Sequence, residues 1–284
     1  MVKNMESEII YKELSYIING LLFQVHNDLG RYCNEKQVCD KFVDLHSSVD
    51  SHHMIAIIIP TYNESANIEK LLKKIFALNI ADLEVIIVDD NSPDGTQHIV
   101  NNLKSSILNL KLHLITRPAK LGLGSAYLTG FKKALSLGAD YIFEMDADFS
   151  HDPDDIPRML EAAQNADLII GSRKIAGGKI IGWGWTRKFM SNGAMWLSRL
   201  LLGLKVRDVT SGFRCFKRRV LETIPLDEIK SNGYAFQEEM LYRTQKMGFT
   251  ITEVPVTFID RQEGKSKLSK KDIIEFFLII LKLK

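Results

Sequence analysis

The chain has 284 residues, 45% of them apolar, and a formal charge of only +2. That length supports one large domain or two small ones, with a sizeable core. The near-neutral balance excludes whole-chain attraction to nucleic acid or to an anionic surface and leaves only local basic patches.

In chain order, residues 1–46 read as a small helical N-terminal extension. No continuous apolar run follows its basic residues, so no signal peptide is expected. Cys33, Cys39 and Cys215 are odd in number and lack metal-ligand spacing, which fits reduced thiols in a cytoplasmic compartment. Residues 47–53 form a polar linker, in which the adjacent His52 and His53 read as solvated side chains. The β-branched run 55–59, closed by Pro60, predicts a buried strand. A helix follows over 67–76, with Ile68, Leu71, Leu72, Ile75 and Phe76 at helical spacing, and then a strand over 84–88. A turn-rich loop at 89–95 leads into a helix ending near residue 103. Next come a strand at 111–116, a helix at 124–137, a strand at 141–145, a helix at 154–164 and a strand at 167–170. This alternation predicts an α/β fold with a mainly parallel, doubly wound sheet. The stretch 183–204, rich in Trp, Phe, Met and Leu, fits a core helix and a membrane-lying helix equally. Residues 269–284 are nearly all apolar between flanking lysines, too short to span a bilayer, and read as an amphipathic interfacial helix.

In such sheets ligands collect at the carboxyl ends of the strands. Three polar clusters fall there: Pro60-Thr61-Tyr62-Asn63-Glu64, Asp89-Asp90 and Asp146-Ala147-Asp148. Their convergence on one crevice is the main expectation. Two carboxylates one residue apart after an apolar strand suit one hard cation, Mg²⁺ or Mn²⁺, whose shell substrate phosphates commonly complete. His151 either supports this pair or caps the next turn. Asp90 is expected to contact a nucleotide and Asp89 to serve structure, with Ser92 or Asp94 capping the helix that follows. The segment 120–124 lacks a complete dinucleotide fingerprint and reads as a turn needing flexible backbone. Arg173, Arg187, Arg214, Arg261 and Lys267 lie in loops of the second half, and the glycine-containing segment 261–267 reads as a mobile basic loop suited to closing over a diphosphate.

From residue 55 to about 268 the chain resembles the dolichol-phosphate (polyprenyl-phosphate) mannosyltransferases of glycosyltransferase family 2. The matching stretches are Pro60-Thr61-Tyr62-Asn63-Glu64, 88–96, 145–151, Gly171-Ser172-Arg173, 208–214, 233–240 and Asp260-Arg261 through Ser266-Lys267-Leu268. The resemblance implies a Rossmann-like glycosyltransferase A fold over 54–268. It implies that Pro60, Tyr62, Glu64, Val88 and Asp90 cradle the nucleoside of a nucleotide-sugar. Asp146 and Ala147 would contact the donor, and Asp148, with Asp146, would bind Mg²⁺ or Mn²⁺. Some relatives carry Gln two residues after the last Asp; Ser150 stands there in this chain. Arg173, Arg261 and Lys267 would bind phosphates, Asp148 and Arg261 would carry catalysis, and Arg187 and Gln237 would fall in the acceptor region. The implied reaction moves a sugar, mannose from GDP-mannose, onto dolichyl or polyprenyl phosphate with inversion, at the cytoplasmic face of a membrane. The first part is different: 14–42 resembles only the start of the small bacterial GxxExxY proteins, with Tyr32 and Val38 where that motif has its glycine and tyrosine.

Three alternatives stay open at this point. The donor is UDP-glucose or another nucleotide-sugar; or the acceptor is a polysaccharide, with Glu238 or Glu239 as base; or the chain binds a nucleotide-sugar without catalysis.

Overall fold

A computed structural model describes residues 53–106, 110–229, 231 and 233–260, together with Ile279 and Leu283. The N-terminal extension, the linker apart from His53, the segment 261–268 and most of the C-terminal helix lie outside the described residues.

The isoleucine run forms β1 (Ile55–Thr61), and its side chains alternate between two cores. Ile55, Ile57 and Ile59 enter one, Ala56 and Ile58 the other, as the two-residue period of a strand requires. Chain order then gives α1 (Ile68–Phe76), β2 (Leu83–Asp89), α2 (Thr96–Ser106), β3 (Leu112–Thr116), α3 (Leu123–Leu137) and β4 (Tyr141–Glu144). A short 3₁₀ turn at Pro153–Asp155 precedes α4 (Ile156–Ala163), where one helix over 154–164 was expected. Asp152 caps that turn by accepting from the Asp154 N–H at 3.1 Å. After β5 (Leu168–Ser172) come β6 (Lys179–Ile181), α5 (Trp185–Leu202), β7 (Arg214–Lys217), α6 (Arg218–Thr223), α7 (Gly233–Lys246), β8 (Ile251–Pro255) and β9 (Thr257–Ile259).

The main sheet has seven strands in the order β3-β2-β1-β4-β7-β5-β8. Its pairs are parallel except those of β7, which runs antiparallel to both β4 and β5. A second, two-stranded parallel sheet joins β6 to β9. Helix α3 crosses closely over β1: a Cβ on Gly130 would stand 2.3 Å from Ile58 Cγ2, so only glycine allows this approach.

Helix α5 settles the reading of 183–204 as both core and surface. Met195, Ser198 and Leu202 are buried, while Trp185, Phe189, Trp196 and Leu200 are each more than 60% exposed. These four lie at i, i+4, i+11 and i+15, within one narrow helical stripe. Among the described residues no helix is long and apolar enough to cross a membrane. Of the C-terminal segment, Ile279 is buried and Leu283 packs against the core on the α3 side of the sheet.

Candidate active site

The three polar clusters share one cavity of about 350 Å³ over the carboxyl ends of β1, β2 and β4. Pro60, Tyr62, Glu64, Asp90, Asp146, Ala147, Asp148, Arg173, Arg187 and Gln237 all line it. Val88 does not; its side chain is fully buried in the core beside Ile58 and Ile86. Arg261 and Lys267 lie outside the described residues.

The strand ends hold their loops through buried carboxylates. Asp89 accepts from the Thr61 hydroxyl at 2.7 Å, from the Ser92 N–H and hydroxyl at 2.8 and 2.6 Å, and from Gln97 Nε2 at 2.7 Å. That is the structural role expected of it. Asp94 caps α2, accepting from both the Thr96 N–H and its hydroxyl. Asp90 lines the cavity but also pairs with Arg117, a residue that sequence reading had not singled out. Arg117 extends to Ser125 Oγ and the Gly122 carbonyl, and Asp90 accepts from the Leu121 N–H at 3.1 Å. Residues 120–122 are thereby strapped to the end of β2. Gly122 sits at φ 101°, which meets the expectation of a flexible turn. Lys120 lies 4.5 Å from the centre of the Tyr62 ring, a cation–π contact at the cavity rim.

The acidic loop leaves β4 through a tight turn, with Phe149 at φ 59°. Ser150 N–H donates to Asp148 Oδ1 at 3.1 Å. Tyr127 OH donates to Asp146 Oδ1 at 3.2 Å. His151 supports the pair from behind: its Nδ1 accepts the Asp146 N–H at 3.2 Å, and its ring stacks on Phe213 at 5.0 Å. Burial pushes the His151 pKa down, against the pull of the Asp146 and Asp148 carboxylates. Among the described residues no group of three His, Cys, Asp or Glu side chains is placed to hold a metal. The donors that do gather are all oxygens: the Asp146 and Asp148 carboxylates and Ser150 Oγ. Ser150 Oγ is buried on the cavity wall with no hydrogen-bond partner among the described residues. A hard cation that takes the rest of its shell from a phosphate ligand fits this set.

Another part of the cavity wall is cationic and aromatic, with Arg173, Arg187 and Phe258. Arg173 forks onto Asp208 through Nε and Nη2 at 2.7 and 2.6 Å, and Nη2 reaches Thr210 Oγ1 at 3.0 Å. Arg187 lies 4.1 Å from the Trp183 ring centre and donates to Asp260 Oδ2 at 2.8 Å. Behind this wall, Arg214 is wholly buried and donates to the carbonyls of Ser211, Gln237 and Val209. Opposite it in register, Glu144 has a pKa raised to about 7 by burial, with Arg214 and Gln237 opposing the shift.

Glu238 and Glu239 do not line the cavity. Glu239 accepts from Ser231 Oγ at 2.6 Å and from Arg243 Nε at 2.9 Å. Burial raises Glu238 to about 7, weakly opposed by Ser198. A carboxyl raised on folding keeps its proton while the unfolded chain loses one, so stability falls as pH rises from about 4.5 to about 7. Glu238→Gln removes this penalty. The variant should show a flatter melting temperature than wild type between pH 5 and 8 in parallel thermal scans. Equal slopes would count against the assignment.

A mainly parallel sheet with one reversed strand and a cavity over its strand ends is the glycosyltransferase A arrangement of the Rossmann-like class. The chain belongs to glycosyl transferase family 2, whose profile matches residues 56–225, and it is a hexosyltransferase. It is 42% identical over 215 residues to undecaprenyl-phosphate mannosyltransferase of Micrococcus luteus, covering 76% of this chain and 87% of that one. It is 41% identical over 220 residues to polyprenol monophosphomannose synthase of Mycolicibacterium smegmatis, covering 77% and 82%. In fold it resembles glucosyl-3-phosphoglycerate synthase from Mycobacterium tuberculosis crystallised with Mg²⁺ and uridine diphosphate. The TM-score is 0.62 at 18% identity, over 85% of this chain and 83% of that one. The same enzyme has been crystallised with Mn²⁺ and UDP-glucose, and matches with a TM-score of 0.61 at 19% identity, over 82% and 81%.

Proposed function

We propose that the chain transfers mannose from GDP-mannose to a polyprenyl phosphate, with inversion, at the cytoplasmic face of a membrane. The observation that carries this reading is the 41–42% identity, over three quarters of the chain, to two enzymes named for mannosyl transfer to such lipids. The cavity supports it. Pro60, Tyr62, Glu64 and Asp90 form a wall at the β1 and β2 tips suited to a nucleoside. Next to them Asp146, Asp148 and Ser150 would hold Mg²⁺ or Mn²⁺, which would neutralise the leaving diphosphate. Arg173 and Arg187 bring positive charge to the cavity, where an acceptor phosphate would approach. Arg173 acts there mainly through its field, because Asp208 holds its fork. Arg261 and Lys267 would add charge from the loop beyond Asp260.

A phosphate acceptor is already an anion near neutral pH and needs no general base. Attack from the face opposite the leaving group inverts the anomeric carbon. This favours the lipid phosphate over a polysaccharide acceptor, since Glu238 and Glu239 lie away from the cavity. The exposed stripe of Trp185, Phe189, Trp196 and Leu200 supports a position at a membrane surface.

The test incubates the protein with radiolabelled GDP-mannose or UDP-glucose and a short polyprenyl phosphate, with and without Mg²⁺ or Mn²⁺. Label from GDP-mannose should move to the organic phase only with the metal present. Preferential transfer from UDP-glucose would replace the donor assignment. Absence of lipid label from every donor would remove the reading.

A further inference from the structure

Gln237 is 2% exposed, yet it lines the cavity. Two of its polar groups are pinned from behind. Its main-chain carbonyl accepts from Arg214 Nη1 at 2.7 Å, and its side-chain Nε2 donates to Glu144 Oε2 at 2.9 Å. Arg214 and Glu144 face each other across β7 and β4, so both anchors belong to the rigid sheet. Rotating the amide by half a turn would set its oxygen against the Glu144 acceptor oxygen. In its ionised form, which Arg214 across the strands favours, Glu144 only accepts and so fixes which end of the amide is which. What remains is Oε1, buried and with no hydrogen-bond partner among the described residues. A buried amide oxygen left in this state is costly, and on a residue that lines the cavity it calls for a donor from a ligand. Glu144 Oε1 is also without a partner, but Glu144 does not line the cavity.

We infer that Gln237 is a specificity-determining residue whose side-chain carbonyl accepts a hydrogen bond from a hydroxyl of the transferred sugar. The inference rests on the nucleotide-sugar reading above. Sheet order gives the location. The nucleoside wall stands on the tips of β2 and β1, the Asp146–Asp148 loop leaves β4, and Gln237 is tied to β4 and β7, on the far side of β4 from β1. A ligand running from nucleoside to diphosphate reaches Gln237 with its sugar. A carbonyl oxygen accepts only, so the dianionic form of the acceptor phosphate, which has no proton to give, is not its partner. Glu144 and Arg214 are positioning residues for this contact.

The experiment measures binding without any acceptor, so it does not depend on lipid transfer. GDP, GDP-mannose and monodeoxy GDP-mannose analogues are titrated calorimetrically, in Mg²⁺, into wild type and Gln237→Met, a near-isosteric change that removes the acceptor oxygen. The variant should bind GDP as wild type does and GDP-mannose about tenfold more weakly. One deoxy analogue should lose about tenfold in wild type and nothing further in Gln237→Met. Equal weakening of GDP and GDP-mannose, or identical deoxy profiles in the two proteins, would overturn the proposal. So would a wild-type profile in which no single deoxy analogue loses affinity, a result that does not require the variant to fold. If lipid labelling fails while the deoxy pattern holds, the acceptor assignment falls and the Gln237 contact stands.

Discussion

Asp148→Ala is expected to lower sugar transfer by on the order of a thousandfold while leaving the melting temperature within a few degrees of wild type. The two effects separate because of where the carboxylate sits. β4 ends at Glu144, and the chain turns through Asp146 and Asp148 into the cavity. The hydrogen bond Asp148 makes to the Ser150 N–H is worth about 1 kcal/mol, a small part of a fold's stability. Its cost to catalysis is large because the reaction brings two anions together. Without Asp148 the divalent cation would lose a direct oxygen ligand, and the leaving diphosphate its main source of compensation. Asp148→Asn keeps a side-chain oxygen for Ser150 and should lose nearly as much activity, which separates charge from shape. The measurement is the single-turnover rate at saturating donor across a Mn²⁺ titration. Wild-type-like turnover in either variant would remove Asp148 from the cation site.

Sequence reading succeeded where one physical signal dominated. The isoleucines at 55–59 can only be buried, and their period of two delivers Pro60-Thr61-Tyr62 to a strand end. The acidic residues after β2 and β4 follow apolar strands directly, so their convergence is a consequence of parallel topology. The signal failed where partners are remote in sequence. β7 has four residues, Arg214-Cys215-Phe216-Lys217, and its antiparallel place between β4 and β5 shows only in the pairing. α7 carries Gln237, Glu238, Glu239 and Thr244 on buried positions, so it lacks the apolar stripe that marks a helix. Arg117 reaches Asp90 across 27 residues, and no motif announces it. Arg173 reads as standing alone in a loop, but its bidentate partner Asp208 lies 35 residues away. Val88 lies in the matching stretch, and its strand position turns its side chain into the core.

Asp208→Ala is the change expected to cost most stability, about 3–5 kcal/mol, or on the order of a 10 °C fall in melting temperature. Asp208 is fully buried and accepts from Arg173 Nε, Nη2 and backbone N–H. Removing it takes the bidentate carboxylate from a buried guanidinium, whereas Arg173→Met with Asp208→Leu removes both charges and should recover much of the loss. Burial opposes ionisation of Asp208, but the Arg173 guanidinium and its hydrogen bonds outweigh that and hold the carboxyl below its usual range. A carboxyl lowered on folding stabilises the fold above its unfolded pKa of about 4, and that stabilisation is lost as pH falls through the folded value. The gap in melting temperature between wild type and Asp208→Ala should therefore be full at pH 6–8 and narrow below about pH 4. Because Thr210 and Gly212 line the cavity on the same loop, the single variant should also weaken transfer, and the double variant should regain stability ahead of activity. A gap independent of pH would mean that the aspartate serves through its shape and hydrogen bonds, with its charge contributing nothing.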